Sequence, residues 1–211
     1  MSDAAARDDA SLLAHLVVLR DAFARPLRTV AGFSVQTRGA EAVAAAVLLD
    51  ADTLRVIDRT VACLQATAGP APGLAALLAA LDALPTVPDL ALVEAHGIAH
   101  AARFGVASRF GVAADLPTIG VATAIDIGTA RLALHEMRGA FTPLRDGPGQ
   151  IGWLLRSRPD SPPLVVSPGH RVSMPSAPEL VMRFVTADRR PEPTRLARLL
   201  LHDCDTDAAG E

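Results

Sequence analysis

Three residue types are missing from this 211-residue chain: it has no Lys, no Tyr and no Asn, so all 20 of its basic side chains are Arg. A Lys nucleophile, a Lys phosphate clamp and a Tyr stacking platform are thereby excluded. Cysteine is scarce: Cys63 and Cys204 stand far apart and match no metal-ligand spacing, as expected of two buried, inert thiols in a reducing compartment. Apolar runs are broken by Arg, Asp or Gly before they reach membrane-spanning length, and the opening MSDAAARDDA carries acids where a secretory leader carries bases. The expectation is a cytoplasmic protein with no membrane partner. A net charge of -3 argues against a broad basic surface for nonspecific duplex binding, while a local Arg patch remains open.

What is present points to a folded chain. Half of the residues are hydrophobic, and the length suits one domain, residues 1–211, with a core that needs no staples. The segment from Pro88 to Gly120 organises the rest. A short apolar run, Leu90 to Val93, delivers Glu94 into a turn of small residues, and His96 and His100 follow. A helical stretch then leads to a second apolar run after Pro117. This is a βαβ unit, whose loop beyond the first strand is where ligands bind in such sheets.

Before it, residues 11–25 repeat apolar positions at three and four and predict an amphipathic helix ended by Pro26. Runs over residues 29–37, 41–49 and 54–63 predict three antiparallel strands, and the Ala/Leu stretch within 68–84 predicts a helix. After Gly120 the pattern weakens: strands are expected near 131–137, 151–156 and 164–166, with a turn at 146–149. Ser173 is a candidate N-cap for a helix running to about residue 185, and a last helix starts near Pro193.

The motifs Ala31-Gly32, Pro72-Gly73, HGIAH (96–100), GVASRFG (105–111), DLPTIGVA (115–122), GHRVS (169–173) and PEPTR (191–195) occur in one order. Together they make the chain similar to the endonuclease V family, the deoxyinosine 3' endonucleases, over roughly nine tenths of its length. The resemblance implies an α/β, ribonuclease H-like fold: a mixed sheet, three antiparallel strands and then parallel ones, flanked by helices. It also implies Mg²⁺- or Mn²⁺-dependent cleavage one nucleotide beyond a deaminated adenine, with the metal held by carboxylates.

Carried over residue by residue, the resemblance implies a loss. The family's first-strand aspartate falls on Ser34, its helical glutamate on Ala79 within one position, its lysine on Thr123 and its tyrosine wedge on Pro70. Glu94 replaces an aspartate as the one remaining metal carboxylate, and the histidine of GHRVS is kept as His170. The base-pocket positions are better matched: Gly73, Gly97, His100 and Gly105 agree, Ala95 stands where glycine is usual, and Ala75 where a larger apolar residue is.

Several assignments stay open on the residues alone. Glu94 with His96, His100 and His170 forms either a mixed N/O metal site or acid–base pair, or a hydrogen-bonded loop. Ser34, Gln36 and Thr37 either donate to a substrate or are polar strand positions. Arg156, Arg158, Arg189, Arg190 and Arg195 form a phosphate patch or solvated charge, and Trp153 is expected in the core. Three functions follow: a nuclease-silent binder of nucleic acid or a partner protein; a repurposed enzyme acting with Glu94 and His170 on a small, nucleobase-containing or biosynthetic molecule; or a residual nuclease completed by a partner subunit, homo- or hetero-oligomeric.

Overall fold

The structure, a computed structural model, describes residues 13–65 and 72–208. Strands β1 (Thr29–Arg38), β2 (Glu41–Asp50) and β3 (Val56–Gln65) form the predicted antiparallel meander, and Gly39 turns the first hairpin at φ +53°. Helix α1 (Pro72–Asp82) follows, and then β4 (Leu90–Val93), α2 (Val106–Ala114) and β5 (Thr118–Ala122) make the βαβ unit. The chain ends with β6 (Phe141–Asp146), β7 (Gly149–Leu155), β8 (Leu164–His170), α3 (Ser176–Arg183) and α4 (Glu192–Ala208). One eight-stranded sheet results, in the order β3-β2-β1-β4-β5-β8-β7-β6.

Period-two alternation sorts the strand side chains between two layers. Val30, Leu90, Leu92, Ile119 and Val121 pack with Val181 of α3, Phe184 just past its end and Ala197 of α4. Ala31, Phe33, Ala91 and Val93 pack on the other side with Leu77 of α1 and Phe110 of α2. Because β4 is parallel to both β1 and β5 and covered on both faces, all four of its residues are buried and apolar. Two small residues let the helices approach: a Cβ on Gly32 would meet Pro193 O at 1.9 Å, and one on Gly111 would meet Thr118 Oγ1 at 2.2 Å.

Four expectations are corrected. The helix predicted from 11 to 25 is, within the described residues, a single 3₁₀ turn at Ala14–Leu16. Beyond it the backbone is drawn to the end of β8, where Arg171 N–H donates to Val18 O (2.7 Å) and Ala22 N–H to Arg171 O (3.0 Å), so tertiary hydrogen bonds override the local periodicity. No strand forms over 131–137; the nearest pairing is the Thr129–Arg145 bridge, and Leu132 and Met137 remain exposed. The strand there is β6 instead, hidden by Pro143, which an edge strand tolerates and which Trp153 opposes across the ladder. The cysteines are not buried: Cys63 is exposed on the edge strand β3 and Cys204 half-exposed on α4. The sheet is also antiparallel again past β5, through β8, β7 and β6.

Candidate functional site

Phe33 pairs with Val93 and Val93 with Gly120, so Ser34, in the middle of the longer strand β1, lies beside Glu94 and Thr123, which stand just past the carboxyl ends of β4 and β5. By alternation they share the face of Val30, Leu92 and Val121, over which α4 packs. A pocket of about 310 Å³ opens there, walled by Ser34, Gln36, Glu94, His96, Thr123 and Arg198, with Val35 and Ala95 as apolar wall.

Glu94 is the centre of this site. Its side chain is 13% exposed and accepts three hydrogen bonds: from Ser34 Oγ at Oε2 (2.9 Å), and from Arg190 Nε (3.2 Å) and Arg198 Nη1 (3.0 Å), both at Oε1. Arg198 is the functional residue missed in the sequence. Its signal lay in PEPTRLAR: it stands three residues after Arg195, one helical turn on, while Arg195 turns back to grip Glu192 at 2.8 and 2.5 Å.

The small residues of the HGIAH loop fold it tightly. Gly97 N–H donates to Ser167 Oγ (2.9 Å), Gly105 N–H to Gly97 O (3.0 Å) and Ala107 N–H to His96 O (3.0 Å). A Cβ on Gly97 would meet Pro168 O at 2.1 Å, and one on Gly105 would meet His96 O at 2.4 Å, so both glycines are required by packing. Gly73 has room, its nearest neighbour being the pocket residue Val35 at 3.4 Å. His100 Nδ1 accepts from Ala102 N–H (3.2 Å). His96 keeps a buried Nδ1 with no hydrogen-bond partner, and burial holds its pKa below the usual histidine value, against Asp126 and with His100.

His170 does not join this site. It pairs with Thr118, level with Ala91, so it lies three residues down the sheet from Glu94, roughly 10 Å, and two strands across. There it is 5% exposed; Val18 N–H donates to its Nδ1 (3.3 Å) and Asp115 Oδ1 lies 3.5 Å from its Nε2. The backbone donor requires an unprotonated Nδ1, and burial lowers the pKa against the opposing pull of Asp115. The expected acid–base pairing of Glu94 with His170 is therefore not formed.

The Arg patch also resolves. Arg156 Nη1 donates to Ser161 O, Arg158 to Ala187 O (3.2 Å) and Arg189 to Pro163 O (2.7 Å) and Thr123 O (3.2 Å), so these three tie loops together. Of the five, only Arg190 reaches Glu94. Trp153 is half-buried, donating from Nε1 to Met174 O (2.7 Å) and stacking edge-on with Phe141, which is a structural role. The position of Pro70 lies outside the described residues.

A polar pocket at the carboxyl ends of parallel strands, in a mixed sheet with helices on both faces, defines a ribonuclease H-like α/β protein. The chain belongs to the endonuclease V family, whose profile matches residues 11–199. It is 47% identical to endonuclease V of Azotobacter vinelandii over 194 residues, 88% of this chain and 86% of that one, and 45% identical to the Xanthomonas campestris protein over 204 residues, 93% and 86%. Its fold is similar to the crystal structure of endonuclease V from Streptomyces avermitilis, with TM-score 0.88, 33% identity and 99% and 95% of the two chains covered. The catalytic domain of human endonuclease V is similar at TM-score 0.87 and 29% identity, covering 98% and 97%.

The divalent ion that the family implies does not fit the residues present. Mg²⁺ takes hard anionic oxygens, whereas here Ser34 supplies a hydroxyl donor and Glu94 is already charge-paired with two guanidinium groups. Among the described residues no group of three or more His, Cys, Asp or Glu side chains is placed to hold a metal, so the mixed N/O site from Glu94, His96, His100 and His170 is not assembled. No described helix is long and apolar enough to cross a membrane.

Proposed function

We propose that this chain, acting as one domain over residues 1–211, is an endonuclease V-fold protein that has lost metal-dependent cleavage and keeps a cleft for a nucleobase-containing strand. The observation that carries this reading is the pairing of Glu94 with Arg190 and Arg198: two positive charges stand where the family's chemistry calls for a cation. A divalent ion entering there meets net positive charge and one carboxylate, conditions under which it binds poorly. Ala95 and His96, at the start of the loop after β4, line the pocket beside Glu94, which supports the retained cleft.

A nucleic-acid ligand is supported by relatives of the same fold: the Ciona intestinalis endonuclease V was crystallised with DNA containing an inosine followed by a ribo-adenosine. The small-molecule enzyme built on Glu94 and His170 loses its basis, since those two groups are apart. The test is incubation of the purified chain with an inosine-containing single-stranded oligonucleotide and Mg²⁺ or Mn²⁺, with binding followed by fluorescence anisotropy. Saturable binding without nicking is expected. Nicking that Glu94→Ala abolishes overturns the reading.

A further inference from the structure

Resting on the reading that the chain binds without cutting, we infer that the Glu94 cluster is a metal-independent phosphate clamp: Arg198 and Arg190 take a phosphate oxyanion, and Glu94 is the internal anion that it displaces. The cluster's charge is the first reason. One carboxylate faces two guanidinium groups, both on the same oxygen, and the second oxygen is met only by the neutral Ser34 hydroxyl. One positive charge is left over, which repels a divalent cation and suits an anion.

Unused donors are the second reason. Arg190 reaches Glu94 through Nε alone and Arg198 through Nη1 alone, both monodentate at 3.2 and 3.0 Å. Arg195, by contrast, forks onto both oxygens of Glu192. Among the described residues, Nη1 and Nη2 of Arg190 and Nε and Nη2 of Arg198 have no protein acceptor, and the Arg198 side chain as a whole is half-exposed. The guanidinium fork matches two phosphate oxygens, so the capacity that Glu94 leaves idle is the capacity a phosphate uses. Arg156, Arg158 and Arg189, held on backbone carbonyls, offer no such reserve.

Access is the third. The Arg190 and Arg198 side chains are 25% and 50% exposed, and Arg198 forms part of the pocket wall beside the neutral polar groups of Ser34, Gln36 and Thr123. The neighbouring acid Asp188 is engaged by the Arg190 backbone N–H (2.8 Å). A volume of about 310 Å³ exceeds what a phosphate needs and leaves space for the nucleoside attached to it. The phosphate belongs either to a strand's backbone or to a free mononucleotide.

The experiment uses the full chain in EDTA, with a fluorescein-labelled single-stranded oligodeoxynucleotide as probe and inorganic phosphate and inosine 5'-monophosphate as competitors. Affinity is expected to be the same in EDTA and in Mg²⁺, to weaken about tenfold in Arg198→Gln and to tighten about fivefold in Glu94→Gln, which frees both forks while keeping an acceptor for Ser34. A Mg²⁺ requirement, or unchanged or weaker binding in Glu94→Gln, overturns the clamp while leaving the loss of cleavage standing. Should Glu94→Gln not fold, the Arg198→Gln and EDTA results decide alone, because the half-exposed Arg198 tolerates substitution. Competition by phosphate and mononucleotide assigns the source to free nucleotides as well as strands; absence of competition confines it to strands. Mononucleotide binding without oligonucleotide binding keeps the clamp and sinks the nucleic-acid reading, and nicking of inosine-containing DNA sinks the loss of cleavage independently.

Discussion

Ser34 Oγ donates a 2.9 Å hydrogen bond to Glu94 Oε2, sixty residues along the chain and one strand across the sheet. A hydroxyl thus fills, as a donor, the position where the resemblance calls for a second anionic acceptor. Ser34→Ala removes that donor from a largely buried carboxylate, and a loss of about 1 kcal/mol is expected by urea denaturation. Ser34→Asp is expected not to restore Mg²⁺-dependent nicking, because Arg190 and Arg198 still occupy Glu94; nicking by that single variant contradicts the account.

The two guanidinium partners are unequal. Arg190 is 25% exposed and Arg198 50% exposed, so solvent screens the Arg198 pair more. Arg190→Ala is expected to cost about 1 kcal/mol and Arg198→Ala less than about 0.5 kcal/mol in denaturant midpoints at moderate salt. A larger loss for Arg198 reverses the ranking and with it the description of Arg198 as a group held ready for a ligand.

Two glycines of the family motifs separate packing from pocket shape. Gly32→Ala drives a methyl into Pro193 O at 1.9 Å, which pushes the start of α4 off β1; a loss of about 3 kcal/mol is expected, together with weakened Arg198–Glu94 contact. Gly73→Ala meets nothing closer than 3.4 Å and lies in the first turn of α1, so stability is expected to rise by about 0.5 kcal/mol. Oligonucleotide affinity lost in Gly73→Ala without loss of stability would assign Gly73 to the ligand cleft.

Acid sensitivity is expected from the two histidines whose pKa values are lowered by burial, His170 and His96. Below their ordinary value of about 6.5 the unfolded chain binds more protons than the folded one, so stability is complete above that pH and falls as pH drops toward the folded values. Protonation of His170 also breaks the Val18 bond, since Nδ1 then carries its own hydrogen. The unfolding midpoint should drop between about pH 7.5 and pH 5.5, with a shallower slope in His170→Gln. An identical slope in the variant removes His170 from the explanation.

Local pattern made the first half of the fold readable. Leu90–Val93 read as the first strand of a βαβ unit, the Gly39 turn separates two strands that pair in full, and the ordered motifs from Ala31-Gly32 to PEPTR carried the family. The pattern failed where contacts from afar prevailed, as over residues 17–22, which answer to Arg171, and in β6, whose Pro143 suits an edge that no local window can recognise.

The amino-acid order by itself determined that Lys and Tyr chemistry are absent, that one acid, Glu94, stands beyond the central strand, and that the family resemblance points to Ser34, Thr123 and, within one position, Ala79. Only the tertiary structure decided that Glu94 is paired with Arg190 and Arg198, 96 and 104 residues away, and that His170 lies with Asp115 and Val18 instead. The reason is physical: periodicity tells which way a side chain points from its own strand, but charge pairing depends on which strands become neighbours and which helix turn comes to lie above them. Those adjacencies are set by closure of the whole sheet.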